Sequence, residues 1–270
     1  MQNLQTRSKI FSKTDEGERL DEIGFGGLKL FQRPEEFCYG VDAVLLADFA
    51  AREANFTSAA DLGTGTGVIP LILSHKTDAK LLFGVEIQES SCRCAEKSVK
   101  LNGLEDRIKI IHQDVSVKAE VRDKIAEIMK CPAAGSCGDA FVDAVTCNPP
   151  YTEGGGGLKN REDAKMIARH EVAASLEDFF AAAEILLRPK GHMFMVHRPA
   201  RLVDIFTLAR KYALEPKKMR LVCPRKNAAP NMVLLHFIKQ GGRQLDVMED
   251  LFIREEDGIY SPEIEKIYER

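Results

Sequence analysis

Four consecutive residues, Asn148-Pro149-Pro150-Tyr151, combine a side-chain amide, two prolyl carbonyls and a phenol. Each proline lacks an amide hydrogen and fixes its own φ, and Pro149 drives Asn148 into extended backbone. The segment is therefore stiff. It can present the Asn148 side-chain oxygen and the Pro149 carbonyl as two fixed acceptors for a planar amino group, with Tyr151 as a face on which a flat substrate stacks. The same residues also suit a plain turn closing a strand, so their neighbours decide. The preceding run, Ala140 to Cys147, is apolar and β-rich. It places the tetrapeptide at the carboxyl end of a strand, where open α/β sheets bind ligands.

Upstream, Asp61-Leu62-Gly63-Thr64-Gly65-Thr66-Gly67 follows Ala59-Ala60 and opens the amphipathic stretch Val68 to His75, the pattern of strand, glycine turn and helix. Alternate glycines permit positive φ and let a ligand approach the backbone beside exposed helix amides. Asp61, Gly63, Thr64, Gly65 and Gly67 are the candidate lining. The turn departs from the dinucleotide fingerprint, whose third glycine would fall on Val68. The next strand, Lys80 to Val85, ends in Glu86, an acceptor for ribose hydroxyls of a kind that NAD enzymes also use. The strand after it, Arg107 to His112, is followed by Asp114, placed to receive an adenine amine. Singly, Glu86 and Asp114 also read as solvated loop acids. Together with the glycines they equip three successive strand ends for an adenosine.

With these motifs the chain resembles the class I S-adenosylmethionine-dependent methyltransferases that methylate amino groups and carry the Asn-Pro-Pro-Tyr signature. The resemblance covers roughly residues 57–240. Within that group, Gln32, the stretch Phe37 through Phe49, Ala168-Arg169-His170-Glu171 and the tail segment Asp257-Gly258-Ile259-Tyr260 are similar to the bacterial valine-tRNA anticodon-loop adenine-N6 methyltransferase family. The resemblance implies a Rossmann-like α/β fold with a seven-stranded, mostly parallel sheet ending in an antiparallel hairpin. It also implies S-adenosylmethionine as cofactor and an RNA substrate, most specifically a tRNA. Asn148, Pro149 and Tyr151 are then the catalytic candidates. Asp61, Gly63, Thr64, Gly65, Gly67, Glu86, Asp114 and Asn148 hold the cofactor, and Arg169 and His170 are raised from an exposed helix face to candidate RNA contacts.

The elements that must position these groups follow from pattern. Residues 1–56 read as an N-terminal extension, with a glycine-interrupted β-like segment from Ile23 to Phe31 and a helix from Val41 to Ala51. Residues 57–240 are the expected methyltransferase core, in which strands and helices alternate. An acidic tail occupies 241–270, with a turn at Asp257-Gly258 and a short helix from Ser261 to Tyr268. Gly103 suits a left-handed helix stop, and Ser175 with Asp178 suits a capping box. Strands Leu214 to Val222 and Met232 to Ile238 are joined by a connection too short for a crossover helix, so they form an antiparallel hairpin. A parallel dinucleotide domain would not end that way.

Composition sets the outer limits. A chain of 270 residues, 44% hydrophobic, fills a substantial core, and a net charge of −3 favours no class of partner. Seven cysteines without a CxxC pair read as reduced thiols and no structural zinc. No apolar run reaches a membrane span and no exported leader is visible, so a cytoplasmic protein is expected. His192 and His197, on a predicted core strand, read as structural. Gly154 to Gly157 read as a flap over the substrate or a loose loop. Between Arg198 and Lys226 basic residues far outnumber acidic ones, and Lys217, Lys218 and Arg220 are candidate phosphate contacts, or else a solvated face that the acidic tail shields. Two other functions stay open at this point. One is a protein glutamine-N5 methyltransferase, whose substrate amide is equally planar, although such enzymes carry a longer helical N-terminal domain. The other is a nucleic-acid-binding protein that keeps the cofactor fold without catalysis.

Overall fold

A computed structural model describes residues 9–13, 17–35, 38–129, 141–151 and 174–270. Strands β1 (Lys9–Lys13), β2 (Arg19–Gly24) and β3 (Leu28–Gln32) form a small antiparallel sheet. After α1 (Val41–Glu53), strands and helices alternate as β4 (Ser58–Leu62), α2 (Val68–Lys76), β5 (Leu81–Glu86), α3 (Glu89–Leu101), β6 (Ile108–His112), α4 (Lys118–Ile128) and β7 (Val142–Cys147). The chain continues through α5 (Leu176–Leu186), β8 (Leu187–His197), α6 (Leu202–Lys211), β9 (Leu214–Arg225) and β10 (Met232–Lys239). The tail carries β11 (Asp246–Val247), β12 (Leu251–Arg254) and α7 (Pro262–Ile267).

The large sheet runs β11-β9-β10-β8-β7-β4-β5-β6, with β12 also on β9. Only β10 is reversed among its described strands, and it pairs with both β8 and β9. The β9–β10 pairing, with Met232 opposite Val222, is the hairpin expected from the short connection. The order steps from β4 outward to β5 and β6 on one side and to β7 and β8 on the other, so β4 and β7 flank a topological switch point. The expected seven strands are exceeded, because β11 and β12 add in parallel beside Lys218–Met219 and Val222–Arg225 of β9. An edge strand offers unpaired amides and carbonyls to any segment that reaches it, and here the tail does.

Alternation along the strands divides the core into two layers. Ala59, Phe194 and Val196 face a cluster with α1, α2 and the tail helix, while Ala60, Met193 and Met195 face one with α5 and α6. Helix α1 buries Asp42 through Ala50 without interruption, as befits a helix enclosed on several sides. Its entry is anchored from the small sheet. Buried Asp21 accepts from Gln32 Nε2 at 2.6 Å, and Gln32 Oε1 accepts from the Tyr39 amide at 3.0 Å. Asn102, past the end of α3, exchanges hydrogen bonds with the Lys29 backbone at 3.0 and 2.7 Å and docks β3 onto the core. Lys76 reaches Asp48 of α1 at 3.0 Å and the Ile267 carbonyl of the tail at 2.9 Å, tying both to α2.

Local stops and starts follow the sequence. Gly103 takes φ +65°, with Gly103 N donating to Lys100 O and Leu104 N to Val99 O, the paired bonds of a glycine helix stop. Ser175 and Asp178 form both bonds of the capping box. Gly67 begins α2 at φ +84°, and a Cβ there would stand 3.1 Å from Ala95 Cβ. Gly67→Ala combines a left-handed backbone with a crowded methyl, and should lower stability by about 1–3 kcal/mol. Urea unfolding checks this. Gly65, also left-handed but with nothing within 4 Å of its added Cβ, should lose less on the same change.

Candidate active site

The carboxyl ends of β4, β5 and β7 meet at the switch point, and two groups of side chains stand there. The first belongs to the glycine turn. Gly63 and Thr64 amides donate to the Val85 carbonyl at 2.9 and 3.0 Å, which bends the chain over the end of β5. Gly65 N then donates to Glu86 Oε2 and Gln88 N to Glu86 Oε1, each at 2.8 Å. Two amides thus hold the Glu86 carboxylate in one orientation, and each oxygen keeps a lone pair for a further donor. Asp61 is 2% exposed, and its Oδ1 accepts from the Thr146 hydroxyl at 2.7 Å. Its Oδ2 is buried without a hydrogen-bond partner among the described residues. Burial pushes the Asp61 carboxyl up to about 7, against the pull of the nearby Thr146 and Thr64 hydroxyls in the other direction.

Asp114 accepts the Ser116 amide at 2.8 Å, a local turn that fixes its carboxylate after β6. Ile87, directly after Glu86, exposes 37% of its surface. Cys92 places its thiol on the Glu86 carbonyl at 3.4 Å. Burial, with Glu86 adding to it, pushes that thiol up to about 12, and burial raises Cys147 as well. Both stay protonated, so neither competes for an electrophile bound beside them.

The second group is the tetrapeptide. Asn148 Nδ2 donates to Asp42 Oδ2 at 3.0 Å. The Tyr151 hydroxyl lies 2.9 Å from the same Asp42 oxygen and 2.7 Å from Asn148 Oδ1. Burial, with Asp42 next, raises the Tyr151 pKa far above its ordinary value, so the phenol keeps its proton. Asp42, from the first turn of α1, completes the site from outside the stretch between glycine turn and tetrapeptide. No local pattern marked it, because an acid in a first helical turn is usually a dipole partner.

The tetrapeptide differs from expectation in two respects. Asn148 Oδ1 is not bare, since the Tyr151 hydroxyl already stands on it. The Tyr151 ring is not an open platform either: the Arg198 guanidinium lies 4.6 Å from its centre, and His197 meets it edge-on at 5.3 Å. Arg198 is held there by the Asn231 carbonyl at 2.8 Å. His197, read as structural, is buried and accepts from the Arg198 amide at 2.8 Å, so it also positions the site. His192 pairs instead with His236 at 2.9 Å.

Within the basic stretch, the residues expected to contact phosphates have partners in the protein itself. Arg220 forms a two-pronged pair with Glu263 at 2.7 and 2.8 Å and donates to the Glu249 carbonyl at 2.9 Å. Lys218 pairs with Glu53, and Lys217 donates to the Gly242 carbonyl at 3.0 Å. Arg220 is covered by the tail, which docks alongside β9 and brings Glu263 over it, whereas the Glu53 that holds Lys218 comes from the end of α1. Arg225 and Lys226, at the carboxyl edge, remain exposed. Arg169, His170 and the glycines 154–157 lie outside the described residues. Among the described residues no group of three or more His, Cys, Asp or Glu is placed to hold a metal, and no helix is long and apolar enough to cross a membrane.

Comparison with known proteins agrees with this geometry. Residues 39–133 match the methyltransferase small domain family. A predicted O-methyltransferase from Agrobacterium tumefaciens superposes with a TM-score of 0.64 at 21% identity, over 84% of this chain and 95% of its own. The tRNA m1G37 methyltransferase of Methanocaldococcus jannaschii superposes with a TM-score of 0.53 at 14% identity, over 85% of this chain and 59% of its own. The chain is a Rossmann-like methyltransferase that uses S-adenosylmethionine as methyl donor. In sequence it is similar to the tRNA1(Val) (adenine(37)-N6)-methyltransferase of Porphyromonas gingivalis, 26% identical over 85% of this chain and 86% of the relative. The protein of the same name from Aeromonas hydrophila is also 26% identical, over 82% of this chain and 84% of the relative.

Proposed function

We propose that this enzyme methylates the N6 amine of an adenine in tRNA, and that it works in the cytoplasm. The supporting observation is the placement of Asn148, Pro149 and Tyr151 at the end of β7, one strand from Asp61 on β4 and two from Glu86 on β5, at the switch point between β4 and β7. The tRNA substrate named for its relatives fits this placement. The cofactor fits the other half of the site. Buried Asp61 Oδ2 lacks a donor, Gly65 leaves open space at φ +56°, and Glu86 and Asp114 offer acceptors for ribose and adenine. Bound there, S-adenosylmethionine supplies an electrophilic methyl group on sulfur.

The protein's part is alignment and charge stabilisation. An exocyclic adenine amine is a poor nucleophile because its lone pair is delocalised into the ring. Asn148 Oδ1 and the Pro149 carbonyl accept its two N–H protons, turn the lone pair out of the ring plane and offset the positive charge that grows on nitrogen. Tyr151 contributes its hydroxyl at Asn148 and one ring face to the base, the other being covered by Arg198. An adenine reaches such a pocket only unstacked, which costs least in a single-stranded loop. Residues 57–240 carry the chemistry in this reading, while 1–56 supplies Asp42 and 241–270 braces α1 and β9.

The decisive experiment incubates the protein and labelled S-adenosylmethionine with total tRNA, rRNA and release-factor protein. N6-methyladenosine in the tRNA digest is the expected result. Label in a protein glutamine would instead make this a glutamine-N5 methyltransferase. The surface makes a further prediction. Arg225→Ala with Lys226→Ala should weaken tRNA binding and flatten its log–log salt dependence by roughly one to two units, without altering cofactor affinity. Arg220→Ala should act on stability instead, costing about 1–2 kcal/mol after allowing for solvent screening of Glu263. Thermal unfolding and a salt titration separate the two effects.

A further inference from the structure

The Asn148 amide has an oxygen end and a nitrogen end, and the proposed chemistry needs the oxygen to face the substrate. Asparagine alone does not determine this, because the amide can turn over at almost no cost. A carboxylate beside it does, since a carboxylate only accepts hydrogen bonds and must meet the nitrogen end. Asp42 is that carboxylate. It is 8% exposed, and its Oδ2 takes both Asn148 Nδ2 at 3.0 Å and the Tyr151 hydroxyl at 2.9 Å. Its Oδ1 accepts the Ala43 amide at 3.0 Å. Among the described residues no cation forms an ion pair with it. Its described hydrogen-bond partners are the Asn148 amide and Tyr151 hydroxyl of the tetrapeptide and the Ala43 backbone amide.

We propose that Asp42 is a positioning residue for methyl transfer, holding the Asn148 amide with its oxygen toward the substrate amine and strengthening that oxygen as an acceptor. The inference rests on the reading of Asn148 as the amine acceptor. Three physical consequences support it. Donation of Nδ2–H to a carboxylate polarises the amide and concentrates negative charge on Oδ1, as happens along any chain of hydrogen bonds. The Tyr151 hydroxyl has one proton for two acceptors, Asp42 at 2.9 Å and Asn148 at 2.7 Å. When a substrate amine donates to Asn148 Oδ1, that proton rests on Asp42 and Tyr151 stays satisfied. The Asp42 charge, one amide removed from the amine, also favours the positive charge that develops there.

An acid that only served the helix terminus would affect folding and leave turnover alone, and the test separates these roles. Asp42→Asn keeps the shape and removes the charge. It should lower kcat by about 10–100-fold, the range common for a group that orients a reacting side chain through one hydrogen bond. Calorimetric S-adenosylmethionine affinity and the KM for tRNA should stay within about threefold. In an Asn148→Ala background, assayed under single turnover, the same change should matter less than about threefold, because its effect passes through Asn148.

A substrate-free arm observes the Asn148 side-chain NH2 by NMR, assigned by its disappearance in Asn148→Ala. Its hydrogen-bonded proton should move upfield in Asp42→Asn while the backbone spectrum holds. Should Asp42→Asn not fold, Asp42→Glu, with the charge one methylene out of place, carries both arms and should show a displaced amide signal with reduced kcat. Unchanged kcat, a loss that simply multiplies with that of Asn148→Ala, or an unmoved amide signal would overturn the proposal. If the native protein transfers no methyl to RNA, the substrate reading fails instead, and the amide signal still decides whether Asp42 holds Asn148.

Discussion

Asn148→Ala is expected to reduce turnover by about 10²–10³-fold while S-adenosylmethionine affinity stays nearly constant. The size follows from the kind of interaction removed. An acceptor that meets the amine protons gains strength as nitrogen becomes positive, so its loss raises the barrier more than it weakens ground-state binding. The geometry adds a reason to expect the upper part of the range. Without the amide, Asp42 keeps the Tyr151 hydroxyl but loses its partner at Nδ2, leaving a buried carboxylate less well satisfied next to the reaction centre. Single-turnover transfer to tRNA with calorimetry on the same preparation measures both quantities. Full turnover, or a loss confined to cofactor binding, would contradict the role given to Asn148.

Glu86→Ala is expected to weaken S-adenosylmethionine binding by about 1.5–3 kcal/mol, the usual worth of hydrogen bonds to a charged group. That is roughly a 10–150-fold rise in Kd. The carboxylate also anchors the Gly65 and Gln88 amides at 2.8 Å each, so alanine removes the ribose acceptor and loosens the turn that lies against the cofactor. Glu86→Gln keeps one oxygen in place and should fall between the two. Calorimetry on folded protein decides; an unchanged Kd, or native protein that prefers NAD, would remove Glu86 from the cofactor site.

Much of the local geometry around the candidate site is legible in one dimension because its signals are local. A proline pair after an apolar run marks a rigid strand end wherever the strand lies. Gly63, Gly65 and Gly67 all take positive φ, a backbone demand that the alternate glycines announce. Glu86 and Asp114 follow two further strands in chain order, and the parallel register brings Glu86 onto the glycine turn. The Gly103 stop, the Ser175–Asp178 box and the β9–β10 hairpin depend on residues within a few positions of one another, so chain order was enough to find them.

Pairing across the fold was not legible. Asp42 and Asn148 are separated by 106 residues, and nothing in either segment states that the first turn of α1 meets the end of β7. Asn148 was recognisable as a candidate acceptor, but which end of its amide faces outward depends on Asp42. The same limit explains the basic stretch. Lys218 and Arg220 have the composition of a phosphate track, and only the packing of α1 and of the tail around β9 shows that Glu53 and Glu263 pair with them. A side chain's type states which bonds it can form. Which of those bonds the protein itself takes up is decided by the distant groups that the fold brings near, and for Asp42, Arg198 and Arg220 those partners are visible only in the tertiary structure.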